Sequence, residues 1–211
     1  MDLHLVTDRG LVKGRPLLDI IRAAVSGGVS VVQLREKNSS TRQFVELGRA
    51  VVAELKRLPV PVIINDRVDV AMAVGAQGVH LGQSDMPYPL ARELLGPRAI
   101  IGLSVETLDQ AVAAEQLDVN YLGLSPVFAT TTKTELTSQL DLEGVRQIRA
   151  RSSHRLVAIG GINSGNAESV IQSGADGLAV VSAICAAEDP YGSARSLRKL
   201  LEKARAGVKT A

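Results

Sequence analysis

Tryptophan is absent from this 211-residue sequence, phenylalanine occurs twice and tyrosine three times. So few flat rings leave little on which to stack nucleobases, which argues against a single-stranded nucleic acid ligand. An excess of one charge is also missing. The chain has 24 Lys and Arg against 22 Asp and Glu, a net +2. No global field draws it to nucleic acid, so a phosphorylated ligand must be held by charge placed locally. With Cys185 as the only cysteine, no intrachain disulfide can form. That is compatible with a reducing compartment, and a cytoplasmic location is expected. No apolar run approaches the ~18 residues of a membrane span. The N-terminal residues lack the basic segment and long apolar stretch of a signal peptide, so neither membrane nor export is expected. Walker A, nucleophile-elbow and cysteine-based zinc patterns are absent too.

What the sequence does have is alternation. Short β-branched runs are expected as strands at Leu3–Thr7, Val29–Leu34, Val62–Asn65, Gly78–Leu81, Ile100–Ser104, Tyr121–Leu124, Val157–Gly160 and Leu178–Val181. They are too apolar for a sheet with one wet face and suit parallel strands covered on both sides. Helices are expected between them near Leu17–Ser26, Thr41–Leu58, Val68–Val74, Pro87–Leu95, Leu108–Glu115, Leu142–Arg149, Gly165–Gln172 and Gly192–Ala206. Eight βα units in about 200 residues point to a single-domain α/β protein, a (β/α)8 TIM barrel over residues 1–206, with a short tail at 207–211. An open doubly wound sheet is the structural alternative. One connection, Ser125 to Leu140, is long, polar and threonine-rich. Such loops in compact domains are often functional.

Candidate chemistry gathers at the strand ends, where barrel active sites lie. In Gln33-Leu34-Arg35-Glu36-Lys37 the period of two puts Gln33, Arg35 and Lys37 on one face, with Val29 and Val31 deeper on it. Glu36 should point away. Asp66 and Asp85 each follow a strand end and could cap the next helix. Taken together they lie on one rim, where two oxygen ligands suit Mg2+. Asn65 is in phase with Ile63, and Ser104 with Ile100 and Gly102. Thr130, Thr131, Thr132 and Lys133 can wrap an anion, or form a polar surface loop. The turns at Gly160-Gly161 and Val181-Ser182 follow the last two strands, where barrels often bind phosphate. His80 reads as a packed, hydrogen-bonded strand residue, and Cys185 as a small buried side chain.

Together these segments resemble the thiamine phosphate synthase family. The resemblance rests on Gln33–Lys37, Ile64–Arg67, Gly78–Asp85, Gly102–Ser104, Thr130–Lys133, Ile159–Ile162 and Val180–Ile184, and covers nearly the whole chain. It implies a homo-oligomeric barrel with small phosphorylated substrates. One is 4-amino-5-hydroxymethyl-2-methylpyrimidine diphosphate; the other is a hydroxyethyl-thiazole phosphate. By the resemblance Gln33, Leu34, Arg35, Glu36, Lys37, Asn65, Ser104 and Lys133 bind the pyrimidine diphosphate. Thr130, Thr131, Thr132, Gly161, Val181 and Ser182 bind the thiazole phosphate. Asp66 and Asp85 hold one Mg2+, and Arg35, Lys37, Ser104 and Lys133 are the candidate catalytic groups. Ser125-Pro126 and Ala129 depart from the family's Gly-Pro and Pro at these places, which bears on the stiffness of the loop.

Three other readings compete. A thiazole tautomerase-like relative would share the barrel but not the diphosphate chemistry; retention of both acids and both cationic motifs argues against it. A non-catalytic phosphate-binding barrel would bind product and release no pyrophosphate. A sugar-phosphate isomerase leaves Arg35, Lys37, Asp66 and Asp85 unexplained together.

Overall fold

The computed structural model describes residues 2–130 and 139–208. Thr131, Thr132 and Lys133 lie outside the described residues. Eight strands, β1 (Leu3–Val6), β2 (Val31–Leu34), β3 (Val62–Asn65), β4 (Gly78–Leu81), β5 (Ile100–Val105), β6 (Tyr121–Leu124), β7 (Leu156–Ile159) and β8 (Gly177–Val180), pair in sequence order. All pairs are parallel, and β8 returns to β1 to close the barrel. The closed ring excludes the open doubly wound sheet.

The helices are α1 (Leu17–Ser26), α2 (Thr41–Leu55), α3 (Val68–Val74), α4 (Tyr88–Leu95), α5 (Leu108–Ala114), α6 (Asp141–Arg151), α7 (Ala167–Gln172), α8 (Ser182–Cys185) and α9 (Pro190–Val208). Helix α1 buries Leu17, Ile20, Ile21 and Ala24, and α2 buries Phe44, Gly48, Val51 and Leu55. These spacings of three and four place one apolar stripe against the strands. Ser40 starts α2 with a reciprocal capping box to Gln43. That helix ends at Leu55, before the expected Leu58. Leu58 precedes Pro59, and the proline ring disfavours helical dihedrals at the residue before it. Strand β2 begins at Val31 rather than Val29, and α9 begins at Pro190 rather than Gly192 and runs to Val208.

Side chains alternate across the strand wall. Val32, Leu34, Val62, Ile64, Leu156 and Ala158 pack outward in the helix-facing core. Val6, Val31, Ile63, Tyr121, Val157 and Ala179 form a separate cluster inside the ring. Val29 belongs to the outer core, so it does not share the inward face with Val31. The inward phase continues through Gln33, Asn65 and His80, whose strands align as Gln33 with Ile63 and Asn65 with His80. At the opposite, N-terminal end of the strands, Asp2 accepts hydrogen bonds from Arg155 (2.5 Å), Arg198 (3.0 Å) and Arg205 (2.9 Å). These arginines tie the start of β1 to β7 and α9.

Candidate functional site

A cavity of about 510 Å³ opens at the C-terminal ends of the strands. On one side lie Gln33, Arg35, Lys37, Asn65, Asp66, Asp85 and Ser104; across it lie Thr130, Gly160, Gly161, Val181 and Ser182. The fold thus gathers residues separated by about 150 positions in the chain.

Lys37 Nζ donates to Asp66 Oδ2 at 2.7 Å. The backbone of Asp66 is left-handed, with φ 64°, and its N–H donates to the His80 carbonyl at 2.8 Å. Aspartate tolerates that region better than most residues, yet the conformation costs about 1 kcal/mol, and such strain collects at functional sites. Asp66 does not cap α3: the cap position is Arg67, without a side-chain hydrogen bond. Asp85 does not cap α4 either. Its Oδ2 accepts the Gly82 N–H at 2.6 Å. Burial raises the Asp85 carboxyl above its ordinary value, and the adjacent Asp66 raises it further; the Gly82 N–H and the Lys37 charge oppose them.

Among the described residues no group of three or more His, Cys, Asp and Glu side chains forms a metal site by itself. Two adjacent carboxylates fit Mg2+, which commonly takes one or two carboxylates and completes its shell with water and substrate phosphate. The carboxyl of Asp66 beside Asp85 is the kind of charge crowding that a divalent cation neutralises.

Arg35 lies across the mouth, its Nη1 3.7 Å from Asp8 Oδ2. Leu34 and Glu36, expected among the pyrimidine-binding residues, do not send side chains into the cavity. Leu34 is fully buried in the outer core. Glu36 accepts from Ser39 Oγ at 2.5 Å and lies 3.7 Å from Arg9. Period-two alternation turns both away, so any contact they make with a ligand is through the backbone.

On the far side, Gly160 and Gly161 have φ of 102° and 65°. A Cβ at Gly160 would lie 2.7 Å from Pro126 Cβ, and one at Gly161 would lie 2.7 Å from the Ala129 carbonyl. Dihedrals and packing both demand glycine here. The same pair brings the β7 turn against the β6 loop, where Phe128 N–H donates to the Gly160 carbonyl at 3.1 Å. Bare backbone and the Ser182 hydroxyl offer an anion a close approach.

Several lining residues were given no site role by the sequence reading, among them Gln83, Glu106 and Ser125. Glu106 is two residues beyond Ser104, and that spacing was the available signal. Gln83 Nε2 donates to the Ser104 carbonyl at 2.5 Å, bracing β5 against the β4 turn. His80, left without a role, lies on the cavity floor between Tyr121 and Ser104. Cys185 is buried and its thiol is pushed up to about 11 by burial.

The thiamine monophosphate synthase family model matches residues 3–184. A thiamine-phosphate synthase of Albidiferax ferrireducens is 54% identical over 200 residues, covering 95% of this chain and 91% of that protein. One from Syntrophomonas wolfei is 50% identical over 201 residues, covering 95% and 96%. The structure of thiamine phosphate pyrophosphorylase from Pyrococcus furiosus superposes with a TM-score of 0.87 at 40% identity, covering 96% of each chain. No helix of the described residues is long and apolar enough to cross a membrane. Barrel, cavity and relatives agree, and the chain belongs to the thiamine monophosphate synthase family.

Proposed function

We propose that this barrel is a transferase that joins 4-amino-5-hydroxymethyl-2-methylpyrimidine diphosphate to 4-methyl-5-(2-phosphooxyethyl)thiazole, or its carboxylated form, giving thiamine phosphate and pyrophosphate. The observation that carries this reading is one cavity with cations and paired acids on one wall and a glycine-lined anion cradle on the other. It has room for two phosphorylated ligands at opposite ends. The thiazole tautomerase-like and non-catalytic readings need only the glycine-lined end.

The C–O bond to the diphosphate breaks with both electrons leaving on pyrophosphate. The thiazole nitrogen then donates its lone pair to the exposed pyrimidine-methyl carbon, so no protein nucleophile is required. Arg35, Lys37 and Ser104, with Lys133 by resemblance, face the charge that grows on the leaving group. Preorganised donors of this kind are often the largest catalytic contribution. Asp66 and Asp85 would hold one Mg2+, which supplies further neutralisation of the diphosphate when bound. Gln33 and Asn65 orient the pyrimidine. Gly161, Val181 and Ser182, with Thr130, Thr131 and Thr132, hold the thiazole phosphate and keep water from the cation. We place the activity in the cytoplasm, in a homo-oligomer.

The test is pyrophosphate release from the paired substrates. Wild-type protein should release it only with Mg2+, and Asp66→Ala and Lys133→Ala should slow it by on the order of 10²-fold. Wild-type rates in both folded variants would refute the assignment of the diphosphate wall.

A further inference from the structure

Four polar side chains from four strands join at the cavity floor. The Tyr121 hydroxyl lies 2.9 Å from His80 Nδ1, and His80 Nε2 lies 2.8 Å from Ser104 Oγ. The Tyr121 oxygen also meets the Gln33 carboxamide. Gln33, His80 and Ser104 line the cavity; Tyr121 is buried, and its ring stacks on His80 with centroids 5.5 Å apart. The interior is shaped for both rings. A Cβ at Gly102 would overlap the Tyr121 ring, and one at Gly123 would lie 2.8 Å from His80 Cε1.

Counting protons gives the line a direction. Burial pushes the Tyr121 phenol well above its ordinary value, so it stays neutral with one proton. The diphosphate end sets the direction: an anion with no proton to give needs Ser104 as its donor, so Ser104 accepts from His80 Nε2, Nδ1 accepts from the Tyr121 hydroxyl, and the Gln33 carboxamide donates to Tyr121. Tyr121 then gives its own proton to His80 Nδ1. A neutral imidazole accepting at Nδ1 carries its hydrogen on Nε2 and donates it to Ser104. Ser104, already accepting, turns its O–H into the cavity. In the reverse direction Ser104 would donate to His80 and present lone pairs to an anion, which repels it.

We infer that His80 and Tyr121 are positioning residues: the line from Gln33 through Tyr121 and His80 makes Ser104 a hydrogen-bond donor to the departing diphosphate. The inference rests on the reading above, in which Gln33 and Ser104 meet the pyrimidine diphosphate. It couples the pyrimidine amide contact to the leaving-group contact through Tyr121 and His80.

The experiment has two arms. The first is a two-bond 1H–15N imidazole spectrum of the intact protein at neutral pH, with His80 assigned by its loss in His80→Gln. The expected result is a neutral ring protonated at Nε2; a proton on Nδ1, or an imidazolium, overturns the proposal. The second is steady-state pyrophosphate release. Ser104→Ala and His80→Asn should each lower kcat by about tenfold to a hundredfold, the range of one hydrogen bond to a charged group. The KM for the thiazole phosphate should not move. The double variant should be within about threefold of the slower single, as for residues acting as one unit. His80→Gln can present an N–H near Ser104 and should recover about tenfold over His80→Asn. Tyr121→Phe, which keeps the ring packing, should raise KM for the pyrimidine diphosphate. Multiplicative losses in the double variant, or wild-type kcat in His80→Asn, overturn the proposal. A wild-type protein that releases no pyrophosphate refutes the reaction instead, and the ring's protonation state still decides the direction of the line.

Discussion

Replacing Asp85 with Asn separates stability from metal use. In the protein Asp85 and Asp66 are adjacent carboxylates, and Asp85 is raised by burial and by its neighbour. Two like charges about 4 Å apart repel by about 1 kcal/mol in water and about 4 kcal/mol at an effective dielectric of 20. Asp85 lies near the cavity mouth, so the lower figure applies. The Asn oxygen still accepts the Gly82 N–H, which preserves the turn. The metal-free variant should therefore gain about 1 kcal/mol, or about 2–4 °C in Tm for a chain of this size. The ion should become harder to bind, because a ligand carboxylate is gone. Wild-type Tm should climb with added Mg2+, by an amount equivalent to about 2.7 kcal/mol at 100 times Kd. At the same concentration Asp85→Asn should show at most a third of that climb. Thermal melts in EDTA and across a Mg2+ titration measure both effects without any turnover. A variant that melts lower than wild type in EDTA while keeping the full Mg2+ response would refute the pairing of the two acids and their role in holding the ion.

Three further outcomes follow from the geometry. Gly161→Ala places a Cβ against the β6 loop at a φ of 65°. Steady-state kinetics should show KM for the thiazole phosphate rising about tenfold, equivalent to about 1.4 kcal/mol, with KM for the pyrimidine diphosphate little changed. Asp2 titrates at about 2 instead of 3.8: burial acts to raise it, and the Arg205 hydrogen bond with the nearby positive charges overcomes this. A depressed carboxyl stabilises the fold fully above pH 3.8, and the gain fades as pH falls through about 2. Urea midpoints of wild type and Asp2→Asn should therefore differ at pH 5 and converge near pH 2; a constant gap contradicts the linkage. Cys185, buried with its thiol raised to about 11, should react with a disulfide reagent only after denaturant is added.

The strands were readable because each is a short apolar run buried on both faces, and the period of two then assigned Gln33, Arg35 and Asn65 to the interior. Element ends were less readable where a single residue outweighs the pattern, as with Pro59 beyond α2. Helix α8 is four residues long, too short for a periodic signal. Asp66 and Asp85 each looked like possible helix caps, and only the left-handed backbone at Asp66 and the Gly82 contact show that neither caps the helix after it. Tyr121 escaped notice because it stands at the start of an apolar strand and reads as one more core residue. Its hydroxyl matters only once β4, β5 and β6 stand side by side, a fact of register that local pattern does not contain.

The arginine bracket around Asp2 sits at the pole of the barrel opposite the cavity. One contribution to heat tolerance is therefore anchored at the pole that turnover does not use. A protein engineer can strengthen the lower pole, for instance with further ion pairs along α9, and leave the upper pole's substrate selectivity to be evolved separately.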